Sequence, residues 1–158
     1  ITPPKVQNSD IVIRRIESDE DWEKVLESQN FECPPRIAKD DYRRFNGDHM
    51  QVQRNLVSRG AGFWLGAFLG EQLVGDLGIF AVSGCGRFQS VETHPDFRRQ
   101  GICRTLLYEA ALRLRASHGV VQFIIVAEPN DHAIGLYRSV GFLDAQKQVG
   151  VCRYPLKN

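Results

Sequence analysis

The sequence predicts an α/β domain built on one mixed sheet. Three observations lead there. Residues 63–68, 73–82 and 87–93 form three strand-like runs joined by short turns at Gly70-Glu71 and Ser83-Gly84, the pattern of an antiparallel meander. A long stretch with helical apolar spacing follows, and then an apolar run over 120–126. Strand, helix and strand after a meander place parallel and antiparallel pairs in the same sheet.

The elements read in order as follows. Residues 1–10 are a lead-in, and a single domain is expected over 11–158. The β-branched run at 11–16 predicts a first strand. Ser18 is the expected cap of a helix whose face includes Trp22, Val25 and Leu26, with Asp21 at the capping-box position. Its first turn, Asp19-Glu20-Asp21, suits the positive end of the helix dipole. Cys33-Pro34-Pro35 breaks it. A second helix is expected over 38–58, with Tyr42, Phe45, Met50 and Val57 on one face and Gly47 as an unfavourable interior residue. After the meander, Pro95 lacks an amide hydrogen and closes the last strand. The next helix runs through Ser117 on Leu106, Leu107, Ala110, Ala111 and Leu114, and His118-Gly119 ends it. The run at 120–126 predicts a strand covered on both faces. Asn130 should start a short helix through Ser139, with Gly141 in the C′ position. Residues 143–154 are expected to form a final strand, bent at Gly150.

Composition narrows the function. The chain has 158 residues, the size of one ordinary domain. Lys and Arg number 20 against 19 Asp and Glu, a net charge of +1, which argues against general nucleic-acid binding. Cys33, Cys85, Cys103 and Cys152 make no CxxC pair, so neither a zinc site nor a dense disulfide framework is expected. A reduced, cytoplasmic protein without metal is the simpler reading. The longest apolar runs, 62–69 and 120–127, are too short to span a bilayer. The opening ITPPKVQNSD lacks a signal-peptide pattern.

One stretch carries the chemistry. Residues 97–104 read FRRQGICR, where a strand gives way to a helix. Gly101 lets the backbone approach a ligand, and the first amides of the helix have no intrahelical acceptor. Together with Arg98, Arg99 and Arg104 they suit a pyrophosphate. A solvated basic helix start explains this stretch alone equally well. The GxGxxG of a dinucleotide fold and the Lys-Ser/Thr of a nucleotide P-loop are both missing.

In its setting the stretch resembles a known family. Val91-Glu92-Thr93-His94-Pro95 followed by Arg98-Arg99-Gln100-Gly101-Ile102-Cys103 resembles motif A of the GNAT N-acetyltransferases: Arg or Gln, two residues, Gly, one residue, then Gly or Ala. Cys103 stands in the last small position. Downstream, Asn130-Asp131-His132-Ala133-Ile134-Gly135-Leu136-Tyr137-Arg138-Ser139-Val140-Gly141-Phe142 resembles the same family's Asn-x-x-Ala-x-x-Leu-Tyr-x-x-x-Gly-Phe segment. The resemblance is strongest over 91–142 and follows the element order from 11 onward.

The resemblance implies a mixed, splayed central sheet with helices on both faces, the acyl-CoA N-acyltransferase fold, with acetyl-CoA held between two parallel strands. It implies acetyl transfer from acetyl-CoA to a primary amine by direct attack on the thioester. Val91 and Thr93 match strand positions whose backbone binds the pantetheine arm. Arg98, Arg99, Gln100, Gly101, Ile102, Cys103 and Arg104 match the pyrophosphate loop. Asn130 matches a residue near the pantetheine arm. Tyr137 matches one near the thioester sulfur, where its hydroxyl suits protonation of the leaving thiolate. An amphipathic core tyrosine is the plainer reading of Tyr137 without the motif. Glu92 is the first choice for general base, with Glu71, Asp76 and His94 as alternatives; Glu128 is a candidate for holding an acceptor cation, and an exposed loop carboxylate is its plainer reading.

The acceptor is expected to be a small-molecule or peptide amine, shaped by residues 30–58. Neither nucleic acid nor membrane is expected as a partner, and the protein should be a monomer or homodimer. The rival reading is a non-catalytic acyl-CoA sensor or protein-interaction module.

Overall fold

A computed structural model describes residues 1–4, 8–128 and 133–150. The elements run β1 (Val12–Arg15), α1 (Asp19–Asn30), α2 (Lys39–Ser58), β2 (Gly62–Leu69), β3 (Gln72–Val82), β4 (Cys85–Thr93), a 3-10 turn (Pro95–Phe97), α3 (Ile102–His118), β5 (Gln122–Ile124) and α4 (Ala133–Ser139). The strands form one open sheet in the order β1-β2-β3-β4-β5. The first three pairings are antiparallel and β4–β5 is parallel. This is the mixed sheet that the element order predicts.

The β3–β4 turn follows from local sterics. Ser83 at φ 48° and Gly84 at φ 79° give the two left-handed residues that a tight hairpin of the right twist requires. α1 begins where expected: the Ser18 hydroxyl accepts from the Asp21 amide at 3.1 Å. The Asp21 carboxylate does not complete a capping box. It turns to Arg14 on β1, accepting from both guanidinium nitrogens. That bond holds the buried Asp21 carboxyl below the usual carboxylate range and ties α1 to the sheet edge.

The sheet is covered on both faces. On one side Ile102, Leu106, Leu107, Ala110, Ala111 and Leu114 of α3 pack with Phe63, Leu65, Leu77, Ile79 and Phe88. Each fully buried leucine there contributes roughly 2 kcal/mol. On the other side Trp22 and Val25 of α1 and Met50 of α2 pack with Trp64, Phe68 and Phe80.

Three expectations change. The buried face of α2 is Met50 and Gln53, whereas Phe45 is 64% exposed and stacks on His49. Helix α2 lies across one side of the sheet, so its contact stripe is narrow. The apolar run at 120–126 yields only a three-residue strand, because β5 pairs with β4 over Cys85–Arg87 and then leaves it. Its outer face is open: Ile124 is 47% exposed. Residues 143–150 carry no strand, and the rest of the predicted final strand lies outside the described residues. The short helix is described from Ala133, and its expected start at Asn130 also lies outside them. Gly141 ends it at φ 103°, with the Phe142 amide bonded back to the Tyr137 carbonyl at 3.1 Å.

Candidate active site

The site begins with a fault in the β3–β4 ladder. Asp76 pairs with Glu92 and Gly78 with Gln89, so Ser90 and Val91 on β4 together oppose Leu77 on β3. This is a β-bulge, and Ser90 adopts φ 44° within it. On the other side β4 has already lost its parallel partner after Arg87. The two strands therefore part, and a cleft of about 260 Å³ opens between them. Phe88, Ser90 and Val91 form one wall, Ile125–Glu128 the other, and Tyr137 of α4 closes the end.

The structure thus brings Val91 and Tyr137 together on one cleft. Tyr137 is 8% exposed and also belongs to the core, its ring edge-on to Phe142 at 6.2 Å. The packed ring and the cleft-lining position are compatible, since a tyrosine presents an apolar body and a polar tip. Glu128, the candidate for holding an acceptor cation, lines the same cleft.

Glu92 stands elsewhere. With Thr93, His94 and Arg98 it borders a narrow recess of about 10 Å³ against Ser28, Phe31 and Glu32 at the end of α1. His94 holds the strand end: its ring accepts from the Asp96 amide at 3.3 Å and lies 4.6 Å from the Phe31 ring and 5.5 Å from Phe97. Glu71 sits in the β2–β3 turn, where its charge acts on Arg14 and Lys24. Asp76 is buried on β3, and desolvation pushes its carboxyl up to about 7. Its signal in the sequence was a lone acid inside an apolar strand.

The glycine turn has the backbone of a ligand-facing loop. Arg99 at φ 65° and Gly101 at φ 79° are both left-handed, and α3 starts directly after. A Cβ at Gly101 would meet no protein atom within 4 Å, so the space above the turn is open. Arg99, Gln100 and Gly101 are exposed. The amides of the first helical turn have no acceptor within the helix. These features fit a phosphate group.

The remaining residues of the stretch divide between loop and scaffold. Arg98 donates from Nε to the Thr93 carbonyl at 3.1 Å and pairs through both terminal nitrogens with Glu32. Ile102 is 2% exposed and its side chain is core, which leaves its backbone for a ligand. Burial pushes the Cys103 thiol up to about 12, so it is held as the inert thiol. Arg104 donates to the Ser139 hydroxyl at 2.8 Å and joins α3 to the end of α4. Asn130 lies outside the described residues. Among the described residues no three His, Cys, Asp or Glu side chains converge as a metal site, and no helix is long and apolar enough to cross a membrane.

What sequence reasoning missed is the support behind the cleft. Gln29 of α1, Trp64 of β2 and the left-handed Ser90 meet around Asp76. Their separations along the chain carry no motif.

Comparison with known proteins agrees with this fold. The fold is similar to the PaiA N-acetyltransferase of Thermoplasma acidophilum in complex with coenzyme A: TM-score 0.72, 18% identity, covering 87% of this chain and 92% of that one. It is also similar to the ribosomal-protein-S18-alanine N-acetyltransferase of Escherichia coli, with TM-score 0.67, 19% identity and coverage of 86% and 79%. An aminoglycoside 6′-N-acetyltransferase of Acinetobacter haemolyticus gives TM-score 0.67 and 20% identity, with coverage of 90% and 98%. No curated protein matches the chain by sequence. The family profile described as Acetyltransferase (GNAT) family matches residues 22–142, most of the chain and both motifs, and the protein belongs to that family.

Proposed function

We propose that the protein transfers an acetyl group from acetyl-CoA to a primary amine by direct attack on the thioester. The observation that carries this reading is the cleft at the β4 bulge, with Val91 on one wall and Tyr137 at its end. Acetyl-CoA supplies an activated acyl group. The first-turn amides of α3, with Arg99 and Arg104, would take its pyrophosphate, and the backbone at Val91 and Thr93 would take the pantetheine arm.

The chain's own groups then divide the work. A backbone amide at the Val91 bulge is a donor for negative charge on the carbonyl oxygen. The Tyr137 hydroxyl holds the proton that a departing thiolate needs. Glu92, on the recess side of β4, is the candidate base for the incoming ammonium. Direct transfer is favoured over an acyl-enzyme because the Cys103 thiol is raised to about 12 and sits in the first turn of α3, outside the cleft that Tyr137 lines.

The acceptor is a small-molecule or peptide amine. Glu92 borders the recess and Glu128 the cleft, which favours a cationic acceptor. Titration calorimetry with acetyl-CoA, CoA and ATP tests the donor site first. Binding of acetyl-CoA and CoA with little binding of ATP supports the reading and calls for an amine screen. Folded protein that binds no acetyl-CoA refutes it. Binding without turnover on any amine would instead favour an acyl-CoA sensor.

A further inference from the structure

Behind the cleft lies a hydrogen-bond cluster that the chemistry above does not use. Asp76 is fully buried on β3. Its Oδ1 accepts from Trp64 Nε1 at 3.0 Å and from Gln29 Nε2 at 3.2 Å. The indole reaches Asp76 because it lies over Gly78, its direct partner across β2 and β3. A Cβ at Gly78 would meet the ring at 2.5 Å.

The same Gln29 nitrogen donates to the Ser90 carbonyl at 3.3 Å. A side-chain amide carries two N–H donors, so one residue serves both acceptors. Gln29 is itself held, since its backbone carbonyl accepts from Asn46 of α2 at 3.2 Å. The chain of contacts therefore runs from α2 through α1 to the bulge.

Ser90 is where that support is needed. A non-glycine residue in the left-handed region costs about 1–2 kcal/mol and persists only where its surroundings over-determine it. Ser90 sits there at φ 44°, and the next residue, Val91, lines the cleft. Gln29 and Asp76 line neither the cleft nor the recess beside it.

We propose that Gln29, anchored on Asp76, is a positioning residue for the acyl-donor cleft: its amide holds the β4 bulge at Ser90 in the conformation that presents Val91. The inference rests on reading the cleft as the acetyl-CoA site. It assigns the end of α1 a part in the geometry of the reaction as well as in packing the sheet.

The test is Gln29→Met, which keeps the length and helix preference of the side chain and removes both donors. Two readouts apply. Amide exchange is followed by NMR over residues 88–92, and calorimetry compares acetyl-CoA with adenosine 3′,5′-bisphosphate, which lacks the pantetheine arm. Exchange at Val91 should quicken about tenfold, and acetyl-CoA affinity should fall about tenfold, the scale of one or two lost hydrogen bonds. Bisphosphate affinity should stay within about twofold.

Parent-like exchange and parent-like acetyl-CoA affinity in Gln29→Met would overturn the proposal. So would an equal loss of both ligands. Should Gln29→Met fail to fold, Gln29→Ala is read in the same way, alanine being the better helix former. If the parent binds neither ligand, the acetyl-transfer reading fails, and the exchange measurement still decides whether Gln29 holds the bulge.

Discussion

Asp76 on β3 and Glu92 on β4 are direct antiparallel partners, so their carboxyl groups leave the same face of the sheet. Two like charges so placed disfavour each other. The structure resolves the conflict by depth. Asp76 is buried beneath α1, where desolvation first, and Glu92's charge with it, pushes its carboxyl up to about 7. Trp64, Gln29 and Ser28 favour the ionised form and only partly offset the burial. Glu92 borders the recess at the surface.

That arrangement gives stability a pH dependence. An unfolded aspartate titrates near 3.9. The folded state keeps the Asp76 proton up to about 7. Between those values the native state binds more protons than the unfolded state, so this contribution to stability falls as pH rises and levels off above the upper value. The span corresponds to an upper bound of roughly 4 kcal/mol. Asp76→Asn should remove this slope and be the more stable protein above about pH 7, read as the difference between two urea-denaturation series. Parallel curves for parent and variant would contradict the buried neutral carboxyl.

Tyr137→Phe keeps the ring that packs on Phe142 in a residue lining the cleft, and removes only the hydroxyl. Turnover should drop by roughly 10²-fold, the usual scale for one general acid. Acetyl-CoA affinity should change by less than about twofold, since the proton is needed only when the thiolate departs. A parent-like rate at saturating substrates, with chemistry limiting, would leave Tyr137 as a core residue alone.

Glu92→Gln tests the base. If Glu92 takes the proton of the attacking amine, kcat/KM in the parent rises with pH as the carboxyl ionises. The variant should lose that limb and run slower, about 10²-fold below the parent at its optimum. Identical profiles would shift attention to Glu128, which lines the main cleft.

Gly101→Val addresses the glycine turn. The added Cβ meets no protein atom within 4 Å beyond the turn's own neighbours, and the left-handed backbone costs about 1–2 kcal/mol. The open space it enters is where the donor's phosphates are proposed to sit. Acetyl-CoA affinity should therefore fall at least about tenfold while thermal unfolding stays cooperative. Folded variant with parent-like affinity would place the phosphates elsewhere.

The fold was legible in the sequence because its signals are local. Ser18 caps α1 through its own third amide, and Ser83-Gly84 dictates a hairpin by φ alone. The spacing of Leu106, Leu107, Ala110, Ala111 and Leu114 fixes which face of α3 is buried. The motif stretch at 97–104 also located the turn with its left-handed Gly101. Local rules failed where an apolar run had two uses. Residues 120–126 look like a covered strand, yet only Gln122–Ile124 pair, because β5 must leave β4 for the cleft to exist.

By itself the sequence determined the order of the elements, the antiparallel meander, the glycine turn at the start of α3 and the family that these motifs resemble. Each depends on residues a few positions apart, within reach of backbone sterics and helical or strand periodicity. Only the tertiary structure decided that Val91 and Tyr137 share a cleft, that Arg98 is engaged with Glu32, and that Asp76, Gln29 and Ser90 meet behind it. Those groups are 46, 66, 47 and 61 residues apart in their pairs. No periodicity operates over such distances. A one-residue bulge in β4 and the burial of α1 against it bring them together, and burial then moves the Asp76 carboxyl to about 7.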